Sequence, residues 1–295
     1  MMKSLGDLMQ SYADSYGFND LEGIRETAVP GVWFYRSSKG NQRQPFVYQS
    51  GIIVMGRGHK HIHIGNQPVH YGPDDYLVVG VPMPLECEAF PEKGEPLLGL
   101  SIDVDSALLH RLVSELENAK FQVSAHSEQD GFGLISVKMA DDMLESCKRL
   151  MLALHSDLDT QMLGESLLTE IVYRVLTGPE GHVLFNLAHH DSQYARVAKA
   201  LNKVHQSYAD GLTVQNLAEE ANMSVSAFHS AFRKVTLESP LQYLKKVRLN
   251  KAKELIQLEG RRVNDAAHLV GYTSTSQFSR EFKRHFNMTP KGVIA

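Results

Sequence analysis

The sequence predicts an α+β protein: an N-terminal β-sandwich or barrel with trailing helices, then an all-α domain of two helix-turn-helix motifs joined by a central helix. Three observations lead to this fold class. Short runs of β-branched and aromatic residues recur about every ten residues in the first third of the chain. The hydrophobic period then changes to that of helices. An internal repeat with an offset of 50 residues occupies the last third.

Composition and length are those of a globular protein with two domains. The chain has 295 residues, 43% of them hydrophobic and 22% charged, which excludes the disordered, collagenous and low-complexity classes. Every stretch of about 18 residues contains charged or strongly polar residues, so we expect no transmembrane helix and no membrane partner. The N-terminus lacks the basic and apolar regions of a signal peptide. Cys87 and Cys147 form no CxxC or CxxH pattern, which predicts a reduced, cytoplasmic protein.

The net charge of −4 conceals an asymmetry. Residues 191–295 contain 16 Lys and Arg against 9 Asp and Glu, a balance of +7, whereas residues 1–190 have a balance of −11. A basic C-terminal third behind an acidic body suggests that one end of the chain meets a polyanion. The alternative is an ordinary solvated charged surface.

The N-terminal part is predicted to be a series of strands separated by turn residues. One strand alternates strictly, with His59, His61 and His63 on one face and Lys60 and Ile62 on the other. Because no helical pattern separates the strands, we expect an antiparallel sandwich or barrel. The predicted strands cover residues 31–36, 46–48, 51–55, 60–64, 76–79, 85–90 and 97–104.

Helical periodicity follows residue 105. Apolar stripes occur over residues 108–116, 139–154 and 163–175, and the Gly178-Pro179-Glu180-Gly181 run ends the last helix. We expect these helices to pack on the β domain or on a second subunit and to form the dimer contact of a homodimer. Leu150 and Met151 lie in the middle of one stripe and are the predicted contact residues.

The internal repeat aligns residues 224–240 with residues 274–290. Upstream of these segments the offset is 49, so one residue is inserted beside Gly271 in the second unit. Each unit has the pattern of a helix, a tight turn and a second helix. The matched pairs are Ser224 with Ser274, Ser226 with Ser276, Phe228 with Phe278, Phe232 with Phe282, and Pro240 with Pro290.

Each unit also has the turn chemistry that its pattern requires. Asn222 in the first unit and Gly271 in the second lie where a positive φ is needed. Ser224 and Ser274 are predicted N-caps of the second helices. Because the phenylalanines of each unit are four residues apart, they share the buried face. The outward residues are Ser226, His229, Ser230, Arg233 and Lys234 in the first unit, and Thr275, Ser276, Ser279, Arg280, Lys283 and Arg284 in the second.

Small polar and basic side chains on an exposed helix can hydrogen-bond base edges in a major groove. Between the units, Pro240 is predicted to open a helix that continues from Leu241 to Gln257, about 26 Å at 1.5 Å per residue. Such a helix could hold two recognition helices about one DNA turn apart, near 34 Å.

Residues 196–290 resemble the DNA-binding domain of the AraC/XylS family. The family fold has two helix-turn-helix motifs joined by a central helix, and the resemblance implies binding to double-stranded promoter DNA and contact with RNA polymerase, with activation favoured over repression. It also implies base reading by Ser226, His229, Ser230, Thr275, Ser276, Ser279 and Arg280. The chain departs from the family pattern after Pro290, where Lys291-Gly292-Val293-Ile294 replaces a Tyr-Arg pair. The matching residues are Leu217, Ala218, Met223, Ser224, Phe228, Phe232, Arg248, Ala252, Ala267, Gly271, Tyr272, Phe278, Phe282, Lys283 and Pro290.

Residues 20–110 resemble the β-rich, cupin-like regulatory domain of one AraC subfamily. This resemblance rests on Gly58, Lys60, Gly65, Tyr71, residues 75–78 and Pro82, and implies a small-molecule effector. We expect the effector to lie in a barrel interior lined by Trp33, Tyr35, Tyr48, His61 and Tyr76.

The histidine row also raises the question of a metal, since neutral imidazoles suit zinc, iron or nickel. The carboxylate and the later histidine of a cupin metal site are missing, because Gln67-Pro68 and Pro82-Met83-Pro84-Leu85 occupy their places. We therefore predict no metal and no cofactor, and expect a solvated or effector-facing row. Both cysteines are expected to be small buried hydrophobes.

The sequence thus predicts a transcriptional regulator rather than an enzyme. One alternative is a cupin-type metalloenzyme with an accessory DNA-binding domain, which a stoichiometric metal would favour. Another is a nucleoid protein without an effector, which sequence-independent DNA affinity would favour. The predicted regions are a helical extension (1–19), an effector domain (20–104), a helical dimerisation region (105–180), a linker (181–192) and the DNA-binding domain (193–295).

Overall fold

A computed structural model of the chain describes residues 3–64, 67–92, 94–122, 133–189 and 192–293. The chain divides into two compact units. The first unit holds residues 1–43, 49–81 and 87–189. The second holds residues 190–295 together with two short segments, 44–48 and 82–86.

The first helix, α1, spans Leu5–Tyr16. It begins in a capping box, because the Ser4 hydroxyl accepts a hydrogen bond from the backbone N–H of Asp7 at 3.1 Å while the Asp7 carboxylate accepts one from the backbone N–H of Ser4 at 3.0 Å. Its buried face includes Met9 and Tyr12, and the Tyr12 ring lies 5.1 Å from the ring of Phe34. α1 thus packs on β2, the strand Val32–Ser37 of the first unit, through Tyr12 and Phe34.

The described strands form two sheets. A six-stranded antiparallel sheet has the order β1-β2-β9-β4-β7-β10, and a four-stranded sheet has the order β3-β8-β5-β6. All seven predicted strands are confirmed. The bounds are β1 Gly23–Glu26, β2 Val32–Ser37, β3 Asn41–Tyr48, β4 Gly51–Arg57, β5 His59–Ile64, β6 Gln67–Tyr71, β7 Asp75–Val79, β8 Met83–Phe90, β9 Leu97–Ile102 and β10 Leu134–Lys138.

Three strands lack the signals that predict strands. β1 has little buried surface, β6 contains Pro68, and β10 lies inside the region predicted to be helical. β10 is specified by its partner, since Leu134–Lys138 pairs with β7 from Val79 to Asp75 and completes one edge of the six-stranded sheet.

The two faces of the six-stranded sheet have different neighbours. Phe34 and Val54 are fully buried, and Phe34 faces α1. Tyr35, the next residue along β2, has its ring 3.7 Å from the ammonium nitrogen of Lys60 on β5 of the other sheet. Because neighbouring residues of a strand point to opposite faces, one face packs on helices and the other faces β5.

Four further helices complete the first unit: α2 Ser106–Asn118, α3 Asp141–Ala153, α4 Asp157–Thr177 and α5 His182–Ala188. Hydrogen bonds from Ser146 to Glu170 at 2.9 Å and from Arg174 to Asp142 at 2.9 Å show that α3 and α4 are antiparallel. The segment 181–192, predicted to be a linker, contains α5 instead, and its residues 190 and 191 lie outside the described residues.

The second unit is helical over its long segment. The elements are α6 Gln193–Ser207, α7 Val214–Glu220, α8 Val225–Thr236, α9 Pro240–Gln257, α10 Val263–Leu269, α11 Thr275–Phe286 and a 3₁₀ turn at Pro290–Val293. Pro240 occupies the first turn of α9 as predicted, and Ser239 caps the helix. No helix in the described part of the chain is both long enough and apolar enough to cross a membrane.

Candidate nucleic-acid interface

The first helix-turn-helix consists of α7 and α8. Thr213 caps α7 in a capping box with Asn216. Asn222 then adopts a φ of +50°, which confirms the prediction of a left-handed turn residue. Ser224 caps α8, because its hydroxyl accepts a hydrogen bond from the backbone N–H of Ala227 at 3.3 Å. These contacts fix where α8 begins.

The second helix-turn-helix consists of α10 and α11 and repeats this construction. Gly271 has a φ of +87°, and a Cβ atom at this position would lie 2.5 Å from the carbonyl oxygen of Ala209. Both the backbone conformation and the close approach therefore require glycine. Ser274 caps α11, since its hydroxyl accepts a hydrogen bond from the backbone N–H of Gln277 at 3.3 Å.

The aromatic pairs give the two units the same packing. The rings of Phe228 and Phe232 are 5.3 Å apart with 58° between their planes. Those of Phe278 and Phe282 are 5.4 Å apart with 56° between their planes. All four rings are fully buried. The repeat found in the sequence is thus a repeat of three-dimensional structure.

The residues predicted to contact DNA lie on the opposite sides of α8 and α11 from these rings. In α8 all five are exposed. In α11, Thr275 and Ser279 are half-buried, and the other four are exposed. The exposed residues are Ser226, His229, Ser230, Arg233, Lys234, Ser276, Arg280, Lys283 and Arg284. Each helix therefore presents small polar groups together with cations.

The cations of the central helix have structural partners. Lys245 lies 3.2 Å from Glu281, Lys246 pairs with Glu238, and Lys251 pairs with Glu254 at 2.6 Å. Arg248 donates hydrogen bonds to the carbonyl oxygens of Tyr208 at 2.7 Å and Asp210 at 2.8 Å, and so fixes the chain between α6 and α7. Sequence patterns did not indicate the roles of Lys245 and Arg248, because their acceptors are distant in the chain.

A carboxylate that sequence reasoning did not select, Glu281, lies on α11. It accepts hydrogen bonds from the hydroxyl of Tyr272 at 2.9 Å and the amide of Gln277 at 3.3 Å, in addition to its contact with Lys245. Burial raises the pKa of Glu281, but these hydrogen bonds and the ammonium of Lys245 outweigh burial and lower the pKa below its ordinary value.

The five residues predicted to line the effector site occupy different surroundings. The indole N–H of Trp33 donates to the carboxylate of Asp103 at 3.0 Å, and Tyr35 lies beneath Lys60. Tyr48 is buried and belongs to the short segment 44–48 of the second unit. Tyr76 lies opposite Val54 in the paired strands β7 and β4, and burial raises its pKa to about 12. The structure therefore brings Tyr35 next to Lys60 but does not group it with Tyr76, which shares the helix-facing side of the sheet with Val54.

His61 belongs to a histidine cluster on one face of the paired strands β5 and β6. The cluster is defined as His59, His61 and His63 of β5 and His70 of β6. The rings of His61 and His70 are 4.0 Å apart across the β5–β6 pair. His63 is 2.8 Å from the carboxylate of Glu88. Lys60 and Ile62 are buried on the opposite face, as the alternating pattern predicts. Within the described ranges, no group of three or more His, Cys, Asp or Glu side chains is arranged to hold a metal ion.

Family models match both parts of the chain. The model described as the N-terminus of AraC-type transcriptional regulators matches residues 28–183. A model described as a helix-turn-helix domain matches residues 217–294, the region of the repeat.

Known proteins are similar to about a third of the chain. The transcriptional regulator AlkR of Acinetobacter baylyi is 35% identical over 98 residues, which are 33% of this chain and 32% of AlkR. The transcriptional activator RhaS of Escherichia coli is 27% identical over 103 residues, which are 35% of this chain and 37% of RhaS. The chain spans about a third of the length of these relatives.

The fold of most of the chain is similar to that of ToxT from Vibrio cholerae. An apo ToxT structure has a TM-score of 0.60 at 10% identity and covers 93% of this chain and 98% of ToxT. A structure of ToxT with a bound unsaturated fatty acid has a TM-score of 0.57 at 13% identity and covers 89% of this chain and 94% of ToxT. The chain belongs to the family of AraC-type transcriptional regulators.

Proposed function

We propose that this protein is a sequence-specific regulator of transcription that reads promoter DNA with α8 and α11 and responds to a small-molecule effector. The observation that carries this function is the duplicated construction of the two recognition helices. Each has a serine N-cap, a left-handed turn residue before it, a buried phenylalanine pair and an exposed polar and basic face. We infer a cytoplasmic protein from this role. The likeness to RhaS, a transcriptional activator, supports activation, and contact with RNA polymerase is proposed from the family resemblance.

The base-reading side chains are proposed from their positions in the recognition helices. Residues near the N-terminus and middle of a recognition helix reach base edges, whereas cations near its end meet phosphates. We assign base reading to Ser226, His229 and Ser230 in α8 and to Thr275, Ser276, Ser279 and Arg280 in α11. Phosphate contacts are assigned to Arg233, Lys234, Lys283 and Arg284.

Arg280 provides the test of this assignment. A guanidinium can bond both O6 and N7 of guanine, so Arg280→Ala should cost about 1–3 kcal/mol at the specific site and relax the preference at one base pair. Lys283→Ala removes a phosphate contact and should weaken binding to all sequences alike, lowering the salt slope by about one unit. Selection from randomised duplexes, with binding titrations at several salt concentrations, measures both effects. If Arg280→Ala keeps the full sequence preference, Arg280 does not read a base, and a different side of α11 faces the bases.

The effector site is proposed to lie at Tyr35 of β2 and Lys60 of β5, which both belong to the first unit. Lys60 is buried, and burial lowers its pKa to about 8, so an effector with a negative group would stabilise its charged form. Oleate is a suitable probe, because the structurally similar ToxT binds an unsaturated fatty acid. We expect oleate to raise the melting temperature of the wild type but not of Lys60→Met. No shift in the wild type would exclude this effector class.

The homodimer is proposed to form through the first half of α4 rather than through Leu150 and Met151. Both of those side chains are fully buried within the first unit and cannot contact a partner. Leu158 and Met162 are 67% and 68% exposed on one side of α4. Beside them lies a cleft of about 680 Å³ that a partner side chain could enter. The cleft is lined by Ala28, Val29, Pro30, Asp157, Thr160, Gln161, Glu165 and Leu168.

A further inference from the structure

Glu281 is the acidic side chain of a recognition helix, α11, whose other charged residues are basic. Its side chain is only 14% exposed. One carboxylate oxygen, Oε2, accepts the hydrogen bond from Tyr272. The other, Oε1, accepts the bonds from Gln277 and Lys245. Both oxygens therefore have protein partners, although the residue is next to the proposed base-reading Arg280.

The three donors come from three different places in the domain. Tyr272 lies in the turn between α10 and α11, and its ring packs 5.2 Å from that of Phe278. Gln277 lies one turn earlier on α11, and Lys245 lies on the central helix α9. Gln277 turns with α11, so the two donors outside the helix, Tyr272 and Lys245, are the ones that resist rotation of α11 about its axis. Each residue of a helix faces its own direction, about 100° from the next. A rotation of α11 would therefore turn the Arg280 side chain away from the base edge that it is proposed to contact.

The first helix-turn-helix has a different residue at each equivalent position. By the offset of 50, Glu281 corresponds to Ala231, which is buried. By the offset of 49, Tyr272 corresponds to Met223. The carboxylate and its tyrosine donor are thus a property of the second unit that the repeat does not require. Their presence in the second unit alone indicates that the orientation of α11 is held by contacts that α8 lacks.

We infer that Glu281 is a positioning residue for base recognition, which orients α11 so that Arg280 meets its base pair. This inference rests on the proposed function, because it takes α11 to be a DNA-reading helix. A negative charge near the phosphates opposes binding to any DNA, whereas correct orientation improves binding only to the specific site. Glu281 therefore has opposite effects on the two kinds of binding, and these can be measured separately.

The experiment compares the full-length wild type with Glu281→Gln and Tyr272→Phe at one fixed salt concentration. Dissociation constants are measured for the selected site and for a scrambled duplex of equal length. We expect Glu281→Gln to bind the scrambled duplex more tightly while its ratio of specific to non-specific affinity falls about fivefold. Tyr272→Phe changes no charge, so its ratio should fall while its affinity for the scrambled duplex stays the same. Lys251→Met, which alters an α9 lysine paired with Glu254, is the control and should keep the wild-type ratio.

Three results would count against the inference in distinguishable ways. If both variants keep the wild-type ratio and lose no affinity for either duplex, Glu281 does not position α11. If Glu281→Gln weakens binding to both duplexes in the same proportion, Glu281 supports only the folding of the domain, and the positioning role is excluded. If the wild type itself selects no preferred sequence, the proposed base reading by α11 is wrong, and the inference fails together with it.

Discussion

Single residues show where the repeat is imperfect. The two recognition helices both end in a left-handed residue, Leu237 with a φ of +63° and Asn287 with a φ of +56°, again 50 positions apart. Asparagine tolerates this conformation, but a left-handed leucine costs about 1–2 kcal/mol because its Cβ crowds the backbone. Both recognition helices therefore end in the same left-handed conformation, but only the second has a residue, Asn287, that adopts it at low cost.

Leu237→Gly should therefore stabilise the protein by about 0.5–1 kcal/mol, since glycine removes the Cβ strain but loses some backbone entropy. Asn287→Leu makes the reverse change at the equivalent site and should destabilise by about 1 kcal/mol. Urea unfolding followed by circular dichroism measures both free energies. A destabilising Leu237→Gly would mean that the packing of the half-buried Leu237 side chain outweighs its backbone strain.

Among the elements, α4 exposes large apolar side chains to solvent. In its first half, Thr160 and Gly164 are buried, while the apolar Leu158, Met162 and Leu163 are exposed. Leu158 and Met162 are four residues apart on one side of the helix, and exposed apolar side chains grouped in this way are typical of a contact with another molecule. This is the physical basis for placing the dimer contact on α4.

Met162→Glu should convert the proposed dimer to a monomer, because an unpaired carboxylate would be buried in the contact. Sedimentation velocity measures the change. Leu258→Glu is the matched control, since Leu258 is 82% exposed but lies beyond the end of α9, and it should leave the dimer intact. A dimer that survives Met162→Glu would place the contact elsewhere. Leu150→Glu is unsuitable, because its cost would fall on the folding of the first unit.

At the scale of the whole molecule, two half-buried histidines link the stability of the second unit to pH. Burial lowers the pKa of His205 and of His285 to about 4, and Lys251 and Lys246 respectively act in the same direction. His205 also lies 2.8 Å from the hydroxyl of Tyr243. The folded state keeps both imidazoles neutral, whereas the unfolded chain protonates them near pH 6.5. Their contribution to stability is therefore complete above pH 6.5 and is lost as the pH falls toward 4.

Lowering the pH from 7.5 to 5.0 should cost the second unit about 2 kcal/mol for each of these two histidines. Urea unfolding at both pH values tests this. The protein has one tryptophan, Trp33 in the first unit, so a transition seen by circular dichroism but not by tryptophan fluorescence reports the second unit. His285→Gln should abolish about half of the loss, and His268→Gln, at an exposed site, is the control. Equal stability at both pH values would contradict the neutral burial of these imidazoles.

The sequence by itself determined those features that are local or repeated. Caps, turn residues and periodicity depend on neighbours within about four positions, so Ser224, Asn222 and Gly271 could be assigned without a structure. The 50-residue repeat then predicted the same caps, turns and buried phenylalanine pairs in both helix-turn-helix motifs. The strands of the first unit followed from their β-branched and aromatic runs, and in one strand, at Lys60 and Ile62, from strict alternation.

Only the tertiary structure decided which distant residues meet. β10 is a strand because β7 offers it an edge, and α5 replaces a predicted linker because its apolar residues are buried in the first unit. An apolar stripe looks the same in sequence whether it packs inside a subunit or between subunits, which is why Leu150 could not be distinguished from Met162. The contacts of Glu281 likewise depend on side chains 36 and 9 positions away, Lys245 and Tyr272, and only the packing of α11 on α9 brings them to one carboxylate.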